Sequence, residues 1–211
     1  MSHRKMAALL LVGLAAFAGS AQASPHKMLK IGLGGGISVP IGDAKDALDN
    51  GFHGQGYIRI QPPMVPIAFR ATAGFQRFDL KDVEVNQESG DAGNTQVLSG
   101  LAGATIGMQA GPIRPYATLS LGAYNLKTSI PTSAAARANG AIEDETKTTV
   151  TKFGVDLGVG AQFSLGGIKG FAEAKFDNVF TEKGVNNPLG EGSSSTRLVP
   201  ITFGIEFSRE F

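Results

Sequence analysis

Along most of the chain apolar and polar residues alternate with a period of two, in runs of about ten residues broken by turn residues. The run from Lys152 to Phe163 is the plainest. Phe153, Val155, Leu157, Val159, Ala161 and Phe163 fall on one face, and Lys152, Asp156, Gln162 and three glycines on the other. Leu29, Ile31, Leu33, Ile37 and Val39 oppose Lys30, Ser38 and further glycines in the same way, and Ile67, Phe69, Ala71, Ala73 and Phe75 oppose Arg70, Thr72 and Gln76. The pattern predicts eight strands, near 28–39, 52–61, 66–78, 95–109, 113–126, 149–163, 168–180 and 197–211. The connections at 61–65, 110–112 and 164–167 are short and rich in Pro and Gly, whereas those near 40–51, 79–94, 127–148 and 181–196 are long and polar. Strict alternation of short and long connections around an even number of strands is the connectivity of an antiparallel transmembrane β-barrel with tight periplasmic turns and long extracellular loops.

A strand that crosses hydrocarbon must pair all its backbone groups, so only a closed barrel serves, and eight tilted strands of about 9–11 residues suffice. In such a barrel the apolar face turns to lipid and the polar face to a narrow lumen. Phe69, Phe75, Phe153, Phe163, Phe176, Phe203 and Phe207 lie on the apolar face, while Lys30, Arg59, Arg70, Arg114, Lys152, Asp156, Glu173, Lys175 and Glu206 lie on the polar one. Counting up from the periplasmic turns, Arg70 is four residues past Pro66, Glu173 five past Ile168 and Glu206 five before the end, which puts them in about one layer. An unpaired charge there is costly, so a structural cluster of Arg59, Arg70, Asp156, Glu173, Lys175 and Glu206 is expected, opposite signs meeting in hydrogen-bonded pairs.

The first residues stand apart from this pattern. A basic stretch at His3, Arg4 and Lys5, an apolar run from Met6 to Ala18 and Ala21-Gln22-Ala23 make a secretory signal peptide over 1–23, leaving a barrel domain over 24–211. The apolar run is too short to span a bilayer. Removing it leaves 17 basic and 18 acidic side chains, a near-neutral balance that argues against nucleic-acid binding. The chain has no cysteine, which excludes disulfides, a thiolate nucleophile, a Cys-ligated zinc and a lipoprotein anchor.

The chain ends Val199-Pro200-Ile201-Thr202-Phe203-Gly204-Ile205-Glu206-Phe207-Ser208-Arg209-Glu210-Phe211, an alternating strand closing on Phe. Its opening, Ile31-Gly32-Leu33-Gly34-Gly35-Gly36-Ile37-Ser38-Val39-Pro40-Ile41-Gly42-Asp43, and the segments Arg114-Pro115-Tyr116-Ala117 and Leu121-Gly122-Ala123-Tyr124 complete a pattern that resembles the small outer-membrane β-barrel proteins, among them the OmpA-like and opacity-type barrels. The resemblance implies residence among outer-membrane lipids, a monomer, and Phe211 as the insertion signal read by the outer-membrane insertion machinery.

Motifs for chemistry are weak. Gly32 to Gly36 has the glycine density of a nucleotide-binding loop but lacks the βαβ unit, so these read as strand glycines. His26 and His53 have no companion ligands in sequence, and no metal or other cofactor is expected. Lipid-modifying barrels need a base within hydrogen-bond reach of a nucleophile. His53 is flanked two residues away by Gly51 and Gln55, so no enzyme is expected. Asp79, Asp82, Glu84, Glu88, Glu143, Asp144 and Glu145 read as solvated loop charges. The expected function is a scaffold displaying extracellular loops rather than an open porin. The competing readings are a narrow passive channel, an enzyme and a soluble lipocalin-like periplasmic carrier.

Overall fold

The computed structural model describes residues 28–63, 65–81, 93–108, 111–131, 145–165, 168–180 and 195–210. They form eight strands: β1 Met28–Ile41, β2 Gly51–Gln61, β3 Ile67–Asp79, β4 Asn94–Gly107, β5 Ile113–Pro131, β6 Glu145–Leu165, β7 Ile168–Phe180 and β8 Ser195–Glu210. Each strand pairs antiparallel with its sequence neighbour, and β1 pairs with β8 from Met28↔Glu210 to Ile41↔Arg197, which closes the barrel. All eight strands therefore sit where the alternation puts them. Their ends differ most in β5 and β6, which pair as far as Pro131↔Glu145, beyond the point where the apolar alternation stops.

The alternation is partitioned as a membrane requires. Phe69, Phe153 and Phe203 are 62%, 72% and 64% exposed on the outer surface, while Arg70, Asp156, Glu173 and Glu206 are buried in the lumen. A soluble carrier would show the reverse, so that reading fails on burial alone. No helix among the described residues is long and apolar enough to cross a membrane; the strands do the crossing.

Strand glycines make room for large lumen rings. A Cβ on Gly160 would stand 2.6 Å from Tyr116 Cζ, and one on Gly154 would stand 2.7 Å from Tyr124 Cε2. At the periplasmic end Gly111 adopts φ 95°, a left-handed conformation that suits glycine, and its carbonyl accepts from Arg114 Nε at 3.2 Å.

The first long connection is not a polar loop throughout. Ala44–Ala47 forms one short helix, α1, and Leu48 after it pairs with Leu80. Asp49 N–H donates to Asp79 O at 3.0 Å and Lys81 N–H to Ala47 O at 3.1 Å, which ties the segment to the outer end of β3. Ala44 and Leu48 are buried, so the segment folds inward across the barrel mouth.

Candidate functional site in the barrel lumen

The buried charged side chains among the described residues are four cations, Lys30, Arg59, Arg70 and Lys175, and four carboxylates, Asp156, Glu173, Asp177 and Glu206. The register sets their partners. Arg59 and Arg70 are direct cross-strand neighbours on β2 and β3, an arrangement that repels. Each escapes by reaching across the lumen to a different carboxylate. Arg59 pairs with Glu206 of β8 at 2.5 Å, and Glu206 also accepts from Tyr57 Oη at 2.7 Å and Gln162 Nε2 at 2.8 Å. Arg70 pairs with Glu173 of β7 through two nitrogens, at 2.5 and 3.1 Å, and Glu173 also accepts from Tyr116 Oη at 2.9 Å and Gln55 Nε2 at 3.0 Å. The Tyr57 ring lies 3.9 Å from Arg70 Cζ and 5.9 Å from Arg59 Cζ, so its face contacts one guanidinium and approaches the other.

Asp156 and Asp177 repeat the motif with the opposite sign. They are cross-strand neighbours on β6 and β7, and each is served separately, Asp156 by Lys175 Nζ at 2.7 Å and Asp177 by Gln76 Nε2 at 3.0 Å. A chain of neutral side chains joins the two charged layers. Ser38 donates its hydroxyl to Gln76 Oε1 at 2.9 Å, so in a neutral His53 the Nδ1–H donates to Ser38, at 3.2 Å, and Nε2 accepts from Thr202 at 2.8 Å. A cavity of about 10 Å³ beside His53, Gln76, Lys175 and Asp177 has room for about one water.

Toward the outer mouth the filling changes character. Leu48, Phe78, Val97, Leu101, Tyr124, Leu126, Val179 and Leu198 form one buried apolar cluster, with Ala47 and Leu80 packed against it. Leu48 from the capping segment inserts among inward residues of the strands.

Arg59, Arg70, Asp156, Glu173, Lys175 and Glu206 thus all face the lumen, distributed over three ion pairs. Arg70 and Glu206, placed in one layer by counting residues, do not pair with each other. Asp177 joins the network unannounced, although its i, i+2, i+4 spacing with Lys175 and Glu173 marks the face. Tyr57, Tyr116, Gln55 and Gln162 hold the carboxylates and carry no sequence signal beyond their parity. Ser38 lies at hydrogen-bond distance from His53, a juxtaposition made by pairing β1 with β2 and absent from any local motif. Phe211, the signal-peptide segment, His26, and the loop carboxylates Asp82, Glu84, Glu88, Glu143 and Asp144 lie outside the described residues.

A closed eight-stranded barrel with an apolar exterior and a polar, charge-balanced lumen defines an outer-membrane barrel. The chain belongs to the outer membrane protein beta-barrel domain family, whose model matches residues 6–190. Solved structures share the fold. A major outer membrane protein from Thermus thermophilus is 14% identical, with 87% of this chain and 99% of that one covered and a TM-score of 0.59. Ail, the attachment invasion locus protein of Yersinia pestis, is 15% identical over 87% and 99%, with a TM-score of 0.53. Neisserial surface protein A is 12% identical over 87% and 97%, with a TM-score of 0.50. Among curated proteins nothing matches the chain.

Proposed function

We propose that this outer-membrane protein is a closed, non-enzymatic scaffold that displays extracellular loops and conducts no solute. The observation that carries the reading is the continuous filling of the lumen. Two hydrogen-bonded carboxylate centres on Glu206 and Glu173 occupy the periplasmic half and an apolar cluster around Leu48 and Phe78 the outer half. Eight strands enclose an interior only wide enough for side chains, and here ion pairs and hydrogen bonds to Glu206 and Glu173 span it. The Ser38 and His53 pair supports no hydrolase, because Ser38 is fully buried and already donates to Gln76, which leaves no place for a substrate within reach of both.

The route to the membrane is proposed on sequence: export by the signal peptide 1–23, then insertion of the 24–211 barrel as a monomer through its terminal strand. Deleting Phe211 then lowers outer-membrane assembly far more than deleting Ser194, and equal assembly of the two refutes Phe211 as the signal. The scaffold reading is tested by reconstituting the purified barrel in liposomes and following osmotic swelling in small sugars and salts. Rates equal to protein-free liposomes are expected. Solute-dependent swelling that scales with the amount of protein overturns the reading in favour of a passive channel.

A further inference from the structure

The outward faces of β3 to β6 carry a polar band directly above the apolar belt. In successive ladder rows Ala73, Gly100, Ala123 and Phe153 lie side by side, then Phe75, Leu98, Asn125 and Thr151, then Arg77, Gln96, Lys127 and Thr149. The apolar surface ends in the second row, and two cations stand in the third, about 7 Å further along the strands. Asn125 Nδ2 donates to Thr151 Oγ1 at 2.8 Å, and the exposed Lys147 follows one row beyond. Among the described side chains of this band three cations face one carboxylate, Asp79 at its edge on β3. Elsewhere apolar residues reach the outer ends of the strands at Ile41 of β1, Phe52 of β2 and Phe180 of β7, and Arg197 of β8, beside Asn178, is the one outward cation there among the described residues. The lumen cations Arg59, Arg70 and Lys175 are held by carboxylates. Among the described residues Arg77 and Lys127 make no side-chain hydrogen bond or ion pair.

We propose that this band docks the phosphate-bearing headgroup of an anionic glycolipid in the outer leaflet. The occupant follows from position and charge. Acyl chains lie against Leu98, Leu121 and Phe153, which are broadly exposed just below, so the headgroup of the same molecule arrives at the level of Arg77 and Lys127. A guanidinium grips phosphate oxygens with two parallel donors and the ammonium adds a point charge, while Gln96, Thr149 and Thr151 offer amide and hydroxyl partners to sugar hydroxyls. A second barrel copy would bring the same cations face to face, and a soluble acidic partner would leave the adjoining apolar belt unused.

The test uses the full mature chain folded in phosphatidylethanolamine nanodiscs and titrated with bisphosphorylated lipid A or its dephosphorylated form, with bound lipid counted by native mass spectrometry. Phosphorylated lipid binds preferentially, and the half-saturation concentration rises about fivefold in Lys127→Ala or Arg77→Ala. The double variant loses about twenty-fivefold, the product of the two. Lys127→Gln gives the same loss and replaces the alanine variant if that one does not fold. Arg197→Ala, an outward cation on β8, leaves binding unchanged. Equal binding of the dephosphorylated lipid, unchanged binding in the double variant or an equal loss in Arg197→Ala overturns the proposal. So does competition by inorganic phosphate at the concentrations where the lipid binds, which would identify a free anion as the ligand.

Discussion

The two halves of the lumen solve one problem with different physics. The periplasmic half is closed by groups that water would otherwise solvate, gathered around Glu173 and Glu206, each of which accepts from several donors. The outer half is closed by Leu48, Phe78, Leu126 and their neighbours, which water would avoid. A buried ion pair is weak evidence of net stability, because desolvation consumes much of the attraction, yet removing one partner alone is severe. An apolar cluster behaves in the opposite manner, since each side chain contributes by its own area and its loss is graded by the cavity left behind. The polar half is therefore the more specific and more brittle, the apolar half the more tolerant.

Glu173→Ala breaks the comparison open most sharply. It strands Arg70 and removes the acceptor of Tyr116 and Gln55, so the urea midpoint of unfolding in lipid falls by the equivalent of about 3–5 kcal/mol. The exposed Asp46→Ala on α1 stays within about 0.5 kcal/mol. A similar effect of the two would mean that the lumen charges are independently hydrated. Leu48→Ala comes next, at about 2–3 kcal/mol by the same assay, near the low end for a buried leucine because the capping segment can settle into the space. No loss there would show that the outer cluster closes without the cap.

Tyr57→Phe removes one donor to Glu206 and leaves Arg59 and Gln162 in place, for about 1.5 kcal/mol. The smallest effect belongs to the outer half. Thr95 and Thr128 bond only each other, at 3.1 Å, beside apolar neighbours, and Thr95→Val with Thr128→Val together changes the midpoint by less than about 0.5 kcal/mol. A large loss in the double variant would place a polar requirement where the comparison has none.

The strands were legible because lipid imposes a period of two on everything facing it. That same source explains where legibility stopped. Above the hydrocarbon the pattern lapses at Lys127 and Thr149, although the β5 to β6 ladder runs on to Pro131↔Glu145, so the predicted ends fell short. Which residues face the lumen followed from parity. Which of them meet did not, because counting rise along each strand ignores the stagger between strands that sends Glu206 to Arg59 and leaves Glu173 to Arg70. The apolar cluster was hidden for another reason. Leu126, Val179 and Leu198 stand on the face that alternation marks as polar, and Leu48 sits in a stretch that reads as a loop.

Continuous closure of the lumen is tested most directly by single-channel recording of the folded mature barrel in planar bilayers at moderate voltage. A baseline free of steps is the result predicted by two fillings in series, each sufficient to stop ions. Reproducible unitary steps from pure wild-type protein would contradict it.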